Sequence, residues 1–178
     1  MPTLLKDDLK NILDSFKIKK ENYSYFIETG TYMGETILRF INDFKKSYTI
    51  ELSDELYKNF NKNDYDRDKL KSILGDSSKM IKEVIDELDN SAIFFLDGHY
   101  SSCNTARGYK DVPLYEELKT INDYFKYESL IIIDDLRLFG TNNTEDWSYI
   151  TKDKLLEIVS NRLDDFIEMN DRLIIKIK

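Results

Sequence analysis

The sequence has few of the residues that cross-link a small fold or form its turns. Its 178 residues include one cysteine, Cys103, two prolines and six glycines. A single cysteine excludes an internal disulfide framework and a multi-thiolate zinc site, and it fits a reducing compartment such as the cytoplasm. Because nothing basic beside Cys103 would activate its thiol, we expect that thiol to be incidental. So few turn residues disfavour a many-stranded sandwich or barrel and favour helices and strands joined by short loops.

Long apolar runs and a surplus of basic residues are missing as well. The runs at 92–96 and 130–133 are far shorter than the roughly 20 residues that cross a bilayer. Charges interrupt residues 1–16 in a way that no signal peptide tolerates, so we expect no membrane association. Because 34 acidic residues outnumber 26 basic ones, the net charge is -8. This charge works against a broad phosphate-binding surface, so we expect no nucleic-acid partner.

The hydrophobic pattern predicts a single α/β domain over residues 1–178, with a leading amphipathic helix within residues 1–20. Strand-like runs that alternate with helical ones are expected at 24–28, 48–51, 71–74, 92–96 and 130–133. The helix after the first run is expected to extend to Phe44, and a late helix covers 155–163. A closing antiparallel hairpin turns at Asn170-Asp171. This order predicts an open, mostly parallel sheet whose ligand binds beyond the carboxyl ends of its strands.

The first strand runs into a turn that contains two glycines, Gly30 and Gly34. Such a turn allows a ligand to approach the backbone and the free N–H groups of a helix. Tyr32 occupies the position of the second glycine in the dinucleotide fingerprint, which disfavours NAD, and the Gly-Lys-Ser/Thr end of a phosphate loop is absent. The glycine pair alone is a weak signal, and a purely structural role for it stays open.

Acidic residues end the next two strands. Glu51 lies 21 residues beyond Gly30, close to the spacing at which an acid accepts hydrogen bonds from ribose hydroxyls. The alternative is a solvated acid at a strand end. Asp76 follows the third strand, where it would either accept a hydrogen bond from an adenine amino group or simply cap the next helix.

The strand-end segments, in this order, resemble those of the class I S-adenosylmethionine-dependent methyltransferases. These segments are Glu28-Thr-Gly30-Thr-Tyr-Met-Gly34, Glu51, Gly75-Asp76-Ser77, Leu96-Asp97-Gly-His99 and Ile133-Asp134-Asp135. The Glu-Thr-Gly turn and the Asp plus Asp-Asp pair most resemble the metal-dependent macrocin O-methyltransferase type. The resemblance implies a Rossmann-like methyltransferase fold: a seven-stranded, mostly parallel sheet with an antiparallel C-terminal hairpin and helices on both faces.

The resemblance also implies an S-adenosylmethionine site. The turn from Gly30 to Gly34 would pass under the methionine portion, with Glu28 near its amino group. Glu51 would hold the ribose, and Asp76 with Ser77 would border the adenine. The full set of expected cofactor-binding residues is Glu28, Gly30, Thr31, Gly34, Glu51, Asp76, Ser77 and Asp97.

Asp97, Asp134 and Asp135 end two strands that are predicted to be neighbours. Carboxylate oxygens suit Mg²⁺ or another hard divalent cation, and crowded carboxylates would repel one another without a cation or a proton. In the metal-dependent relatives such a triad holds the ion that acidifies the acceptor. Metal-free methyltransferases also carry acids at these positions, so the metal site stays a hypothesis.

His99 is the only histidine in the sequence and lies two residues beyond Asp97. With an ordinary pKa of about 6.5, its imidazole could take a proton from a substrate hydroxyl. We therefore expect Asp97 and His99 to be catalytic, with a metal-neighbouring or structural role for His99 as the alternatives. The catechol-type relatives have a lysine base where this chain has Tyr100, so the identity of the base is open.

The segment 101–113 is long for a connection and could cover the site as a lid. Tyr100, Arg107 and Arg137 are candidate acceptor contacts, and the arginines, with Lys110, would suit an anionic acceptor such as a phosphorylated sugar. The alternative is that these cations are surface charges. Trp147 would stack on the acceptor or else anchor its own loop.

These features predict an O-methyltransferase that acts on a hydroxyl of a small molecule or of a sugar or glycan, assisted by a divalent cation. One alternative is a metal-independent methyltransferase of the same fold that acts on nitrogen or a carboxylate. Others are a non-catalytic cofactor-binding module and a nicotinamide-dependent oxidoreductase. The leading helix and the closing hairpin are candidate contact surfaces for a homo-oligomer.

Overall fold

The computed structural model describes residues 3–101 and 105–178 of the chain, and Cys103, whose thiol we expect to be incidental, lies outside them. The helices are α1 (Lys6–Ser15), α2 (Glu35–Phe40), α3 (Asp54–Phe60), α4 (Ser77–Asp86), α5 (Leu114–Tyr124) and α6 (Lys152–Ile158). The strands are β1 (Tyr25–Thr29), β2 (Lys46–Glu51), β3 (Leu70–Leu74), β4 (Ala92–Leu96), β5 (Ser129–Ile133), β6 (Leu163–Met169) and β7 (Arg172–Ile177). Short 3₁₀ turns occur at Lys20–Asn22 and Leu136–Leu138.

The seven strands form one sheet in the order β3-β2-β1-β4-β5-β7-β6. Strands β1 to β5 pair in parallel, and β7 inserts antiparallel between β5 and β6. The predicted fold class is thereby confirmed. The strand order reverses between β1 and β4, so the carboxyl ends of these two strands flank the crevice where open α/β sheets bind their ligands.

Two hydrophobic cores cover the two faces of the sheet, because successive side chains of a strand point to opposite faces. Ile27 and Phe94 belong to the core under α4, α5 and α6, whereas Phe26 and Phe95 belong to the core under α1 and α2. Every residue of β1, β4 and β5 is buried. Double coverage explains why the central strands have continuously apolar runs.

Side-chain caps start three of the helices that follow strands or loops. Ser53 accepts a hydrogen bond from the Leu56 amide at 3.3 Å, and Asp76 accepts one from the Ser78 amide at 3.0 Å. Thr151 accepts one from the Lys154 amide at 3.3 Å. Because free amides at a helix start need such acceptors, these caps fix where the helices begin.

Two helix predictions were wrong at their ends. Helix α2 ends at Phe40 rather than continuing to Phe44, because the chain must turn to enter β2 at Lys46, although Phe44 is still buried in the core. Helix α6 begins at Lys152, after its N-cap Thr151, and ends at Ile158, since Leu163 already pairs with β7. Both errors follow from extending an apolar pattern to residues that pack against the core outside a helix, Phe44 buried and Leu163 partly buried.

The closing hairpin turns at Asn170 and Asp171, which both have left-handed backbone angles, with φ of 51° and 63°. Two such residues are what a tight type I′ turn requires. In the described part of the chain, no helix is long and apolar enough to cross a membrane.

Candidate active site

A cavity of about 470 Å³ opens at the carboxyl ends of β1, β2, β3 and β4 and extends under residues 105–113. Several residues singled out from the sequence line it: Gly30, Glu51, Asp76, Ser77, Asp97, His99 and Tyr100. Of the predicted cofactor-binding residues, Glu28, Thr31 and Gly34 fall outside the lining. The other predicted site residues outside it are Asp134, Asp135, Arg107, Arg137 and Trp147. The volume lies within the range of about 300–1,000 Å³ that is usual for small-molecule sites.

The two glycines of the first turn are required by different neighbours. Gly30 has φ of 81°, and a Cβ atom there would lie 2.4 Å from the carbonyl oxygen of Asp97. Gly34 has φ of 77°, and its Cβ would lie 2.2 Å from the Phe60 ring. The turn therefore packs against the end of β4 on one side and against α3 on the other. Gly34 has a structural role, whereas Gly30 also faces the cavity.

Tyr32, between these glycines, adopts the left-handed conformation with φ of 48°. This conformation costs a non-glycine residue about 1 kcal/mol or more. Its ring lines the cavity and its backbone N–H donates to Glu51 Oε2 at 2.9 Å. A side chain at this position stands where a dinucleotide pyrophosphate would need bare backbone, which agrees with the prediction against NAD.

Glu51 is held from two sides by backbone amides. Its Oε2 accepts from the Tyr32 amide and its Oε1 accepts from the Ser53 amide at 2.8 Å. The carboxylate is buried and ties the first turn to the end of β2. Because each carboxylate oxygen has two lone pairs, acceptor capacity remains for a ligand hydroxyl.

Asp76 caps α4 through one oxygen, so the capping alternative is confirmed. Its Oδ1 accepts from the Ser78 amide and from the Ser78 hydroxyl at 2.6 Å. The same residue lines the cavity. Capping uses Oδ1 only, and the second oxygen, Oδ2, lies 3.9 Å from Lys79 Nζ.

Glu28 and Thr31 lie behind the cavity wall and are joined through Thr49. The Thr49 hydroxyl donates to Glu28 Oε2 at 2.9 Å and lies 2.7 Å from the Thr31 hydroxyl. Burial raises the pKa of Glu28 to about 8, an effect that the bond from Thr49 opposes. The carboxyl group is therefore largely protonated near neutral pH.

The acids at the ends of β4 and β5 divide into two groups. Asp97, His99 and Asp135 each offer a possible ligand atom, and these three atoms lie within 4.8 Å of one another. Asp134 instead forms an ion pair with buried Arg172, whose Nε lies 3.2 Å from Asp134 Oδ1. The gathered set is thus two carboxylates and an imidazole, whereas the sequence predicted three carboxylates.

Burial and mutual repulsion disturb the titration of these acids. The pKa of Asp97 is raised well above its usual value, first by burial and then by Asp134 and Asp135. Burial also raises the pKa of Asp134 to about 6, although Arg172 opposes the shift. An added cation near Asp97 would relieve this repulsion.

His99 is nearly buried, with 5% of its side chain exposed, and it faces acids on both ring edges. Its Nε2 lies 3.3 Å from Asp135 Oδ2 and 3.6 Å from Glu145 Oε2, while its Nδ1 lies 3.6 Å from Asp97 Oδ1. Burial lowers the pKa of His99, and Asp135 and Glu145 oppose that shift. The imidazole is therefore available in its neutral form, as a proton acceptor or a metal ligand requires.

The cations expected to bind an anionic acceptor are already paired. Arg107 binds Asp111 through two bonds of 2.6 and 2.9 Å, and Lys110 pairs with Glu116. Arg137 bridges two acids, Asp135 at 2.5 Å and Asp171. The structure thus pairs these cations within the chain.

Trp147 anchors its loop, the alternative to its expected contact with the acceptor. Only 3% of the residue is exposed. Its ring stacks on Phe139 and meets the edge of His99 at a centroid distance of 4.9 Å. Its Nε1–H donates to Glu145 at 2.8 Å. The large aromatic surface of Trp147 is therefore buried in packing contacts below His99.

Sequence reasoning missed three charged residues near the site, of which Arg172 and Glu117 are buried and Glu145 is partly buried. Glu145 approaches His99, Arg172 neutralises Asp134, and Glu117 lies behind the turn that follows β4. Burial raises the pKa of Glu117 to about 7. Their partners are distant in the chain, and the only local signal was the position of Glu145 two residues before Trp147.

No protein-family model matches this chain, and no curated protein matches it. Solved structures do resemble it. A candidate caffeoyl-CoA O-methyltransferase from Staphylococcus aureus is 16% identical with a TM-score of 0.62, over 99% of this chain and 85% of that one.

The O-methyltransferase TomG of Streptomyces achromogenes, solved with S-adenosylmethionine, is 11% identical with a TM-score of 0.58, over 98% and 81% of the two chains. The methyltransferase PaMTH1 of Podospora anserina, solved with S-adenosylhomocysteine, is 16% identical with a TM-score of 0.55, over 97% and 79%. The similarity of these structures establishes that the chain has the Rossmann-like methyltransferase fold, and at such low sequence identities it establishes the fold alone.

Proposed function

We propose that this protein is an S-adenosylmethionine-dependent O-methyltransferase that acts on a hydroxyl of a small molecule or a sugar. The observation that carries the proposal is a single cavity at the strand-order reversal. Glu51 and Asp76 lie on its wall together with Asp97 and His99. A nucleoside-binding set and an acid–base set thus open into one space, which is what methyl transfer from a bound sulfonium to a nearby hydroxyl requires.

The cofactor would lie along the ends of β1, β2 and β3. Glu51 would accept hydrogen bonds from the ribose hydroxyls, and Asp76 and Ser77 would border the adenine. The backbone at Gly30 would approach the methionine portion, while Glu28, Thr31 and Gly34 would support that turn from behind. The acidic wall favours the cationic sulfonium over its neutral product.

The donor set near His99 fits a divalent cation. Two carboxylates and an imidazole lie within 4.8 Å of one another, and burial together with neighbouring acids disfavours the charged form of Asp97. We propose that Asp97, His99 and Asp135 hold the ion, which is Mg²⁺ or another divalent metal, while Asp134 serves as the counter-ion of Arg172. Such an ion lowers the pKa of an oxygen bound to it.

The chain's own residues would position the acceptor and manage its proton. Asp97 and His99 face the cavity, where a hydroxyl could donate a hydrogen bond to a carboxylate oxygen or to neutral imidazole nitrogen. The oxygen then attacks the methyl carbon, the carbon–sulfur bond breaks, and the proton stays on the protein group. Most of the acceleration would come from alignment and from charge stabilisation.

A neutral acceptor is favoured over an anionic one. Arg107, Lys110 and Arg137 are each paired with a carboxylate of the same chain, and Lys79, a further cation of the cavity wall, lies 3.9 Å from Asp76 Oδ2. An anionic acceptor would have to displace those carboxylates as well as meet the acids of the cavity wall. The net charge of -8 also disfavours RNA or DNA as the acceptor.

Thermal unfolding with S-adenosylhomocysteine tests the cofactor site. A ligand at 100 times its Kd stabilises by about 2.7 kcal/mol, which for a chain of this size corresponds to roughly 5–10 °C in Tm. We expect that shift with S-adenosylhomocysteine and none with NAD. Glu51→Gln should remove most of it, whereas Glu55→Gln, at an exposed position of α3, should retain it. The same Tm with and without S-adenosylhomocysteine would reject the proposal.

A metal-independent methyltransferase is the second candidate, favoured by one observation. Asp134 is committed to Arg172, and His99 by itself can accept a proton near Asp97. Turnover of hydroxylated compounds in excess chelator separates the two candidates. Lost activity that Mg²⁺ or Mn²⁺ restores supports the metal-assisted enzyme, and unchanged activity supports the metal-independent one.

A further inference from the structure

The tip of the closing hairpin, residues 170–172, contacts both the leading helix and the segment that follows β5. Asp171 Oδ1 accepts a hydrogen bond from the Arg137 amide at 2.8 Å. Asn170 Nδ2 donates to Asp8 Oδ1, in the first turn of α1, at 3.2 Å. The hairpin tip thus joins the start of the chain to the end of β5.

Arg172, the last residue of this tip, faces two acids at once. Its Nη1 donates to Asp8 Oδ2 at 3.3 Å, and its Nε lies 3.2 Å from Asp134 Oδ1. Only 3% of its side chain is exposed, since β7 places it on the same face as Ile174, which belongs to the core under α1 and α2. The guanidinium therefore connects the leading helix to the residue that follows β5.

Asp134 in turn holds the backbone of Asp135. The same Asp134 Oδ1 accepts a hydrogen bond from the Asp135 amide at 3.0 Å. Asp135 has a left-handed backbone, with φ of 60°, and this conformation persists in a non-glycine residue only where its surroundings fix it. Asp135 is also one of the three residues whose possible ligand atoms lie within 4.8 Å of one another. A member of that set thus depends on a bond from Asp134.

Asp8 is itself fixed within the leading helix. Its Oδ2 accepts a hydrogen bond from the Leu5 amide at 3.1 Å, at the start of α1. The apolar face of the helix, with Leu9, Ile12 and Leu13, is buried in the core under α1 and α2. A carboxylate on such a packed helix can orient a guanidinium, because the donors of that planar group point in fixed directions.

We propose that Asp8 of the leading helix is a positioning residue of the candidate site, which acts through Arg172 and Asp134 on the backbone of Asp135. By accepting a hydrogen bond from Nη1, Asp8 fixes the plane of the guanidinium and thereby the direction of Nε toward Asp134. Asp134 then keeps the orientation in which its Oδ1 accepts from the Asp135 amide. The leading helix is thus part of the support of the site.

The consequence for catalysis rests on the proposed function. In that function Asp135 supplies an oxygen for a divalent cation, and such ligand residues are usually oriented by outer contacts of this kind. The cofactor half of the site does not share this support, because Glu51 is held by the amides of Tyr32 and Ser53. Loss of the Asp8 charge should therefore affect the end of β5 and leave nucleoside binding intact.

The variant Asp8→Asn removes the charge that faces Arg172 and keeps an oxygen for the Leu5 amide. Hydrogen exchange followed in ¹H–¹⁵N spectra of the full chain measures the effect at Asp135. We expect the Asp135 amide to exchange about tenfold faster, in line with the usual strength of a hydrogen bond to a charged group. The amides of β1 and β4 should exchange as in the parent protein, and the Nε–H signal of Arg172 should shift.

The matched control is Asp7→Asn, because Asp7 is an exposed acid in the same first turn of α1. It removes the same charge from the helix start and should change neither the Asp135 amide nor the Arg172 signal. An unchanged Asp135 amide in Asp8→Asn would overturn the proposal, and so would an equal effect of both variants. Equal acceleration of all strand amides would overturn it too, since that result indicates a general loss of stability. Faster exchange at Asp135 with an unmoved Arg172 signal would contradict the route through the guanidinium.

These spectra require neither turnover nor a known acceptor. The Tm shift produced by S-adenosylhomocysteine should be the same in Asp8→Asn as in the parent protein. Loss of that shift in the variant alone would show that Asp8 supports the whole fold and not one half of the site. A parent protein that S-adenosylhomocysteine does not stabilise would reject the proposed function, whereas the exchange data would still decide the role of Asp8.

Discussion

The two halves of the candidate site are stabilised by contacts of different range. On the β1 to β3 side, Glu51 is held by the amides of Ser53 and Tyr32, which lie 2 and 19 residues away. On the β4 to β5 side, Asp134 is paired with Arg172 and His99 faces Glu145. The first half is held by backbone amides of its own turns, whereas the second depends on side chains brought from the C-terminal third of the chain.

This difference predicts which half of the site should tolerate substitutions. Backbone amides that hold an acid persist when nearby side chains change, since every residue except proline supplies the same donor. Side-chain ion pairs fail when either partner is replaced, and a buried partner left behind is costly. The acceptor half should therefore be the more fragile of the two, in stability as well as in activity.

The largest expected effect follows from removing the charge of Asp97 on the fragile side. Asp97→Asn should lower kcat by about a thousandfold or more, because in the proposed reaction this residue would lie where charge develops during transfer. The folded state disfavours ionised Asp97, so the variant should also unfold at a higher Tm at neutral pH. Activity assays and thermal unfolding check both effects, with exposed Asp64→Asn as control. Near-normal turnover would contradict the role assigned to this carboxylate.

The next largest effect concerns the buried ion pair. Arg172→Met leaves Asp134 buried without its cation, which should reduce the free energy of unfolding by about 3 kcal/mol or more. Urea denaturation measures the loss. The double variant Arg172→Met with Asp134→Asn should recover most of it, because no uncompensated charge remains. Equal destabilisation in the single and double variants would mean that packing, and not charge, is what Arg172 supplies.

A smaller effect should appear in the pH dependence of stability. Folding raises the pKa of Glu28 from 4.5 to about 8 and that of Glu117 from 4.5 to about 7. The folded state binds more protons than the unfolded state within that interval, so stability falls as pH rises from about 4.5 to 8. Each group contributes at most about 1.4 kcal/mol per pH unit.

Replacing these acids by neutral amides should flatten that dependence. Glu117→Gln should raise Tm at about pH 8 and have little effect at about pH 4, because only the ionised form is penalised by burial. Scanning calorimetry across this range provides the measurement. An equal gain in Tm at both of these pH values would show that the substitution acts through packing.

The smallest effect is expected for Arg107. Its guanidinium side chain is 64% exposed and already engaged by Asp111. Arg107→Gln should therefore change kcat/KM for a neutral hydroxylated acceptor by less than about threefold, in line with the modest energies of surface ion pairs. A loss of kcat/KM of tenfold or more that occurs only with a phosphorylated acceptor would show that Arg107 leaves Asp111 to bind the substrate.

The fold was predictable because its signals are local and repeated. Continuous apolar runs such as 92–96 mark strands covered on both faces, and Ser53 and Asp76 mark the starts of helices. The ends of α2 and α6 were not predictable in the same way. Phe44 is buried for reasons of tertiary packing after the helix has ended, so an apolar pattern alone overextends the helix.

The candidate site was predictable in part, for the same physical reason. Parallel strands deliver their carboxyl ends to one edge, so the convergence of Asp97 and Asp135 follows from topology. The sequence could not indicate that Asp134 turns to Arg172, since neighbouring residues at the end of β5 face different surroundings. It could not indicate that Trp147 is buried below His99 either.

The sequence by itself determined the order of strands and helices, the acids at the strand ends and the single histidine between them, because periodicity and chain order are local properties. Only the tertiary structure decided which acids line the cavity and which become counter-ions of buried cations. That choice depends on burial and on partners more than 30 residues away, as with Arg172 for Asp134 and Glu145 for His99. Side-chain electrostatics in a packed interior is a property of the whole fold.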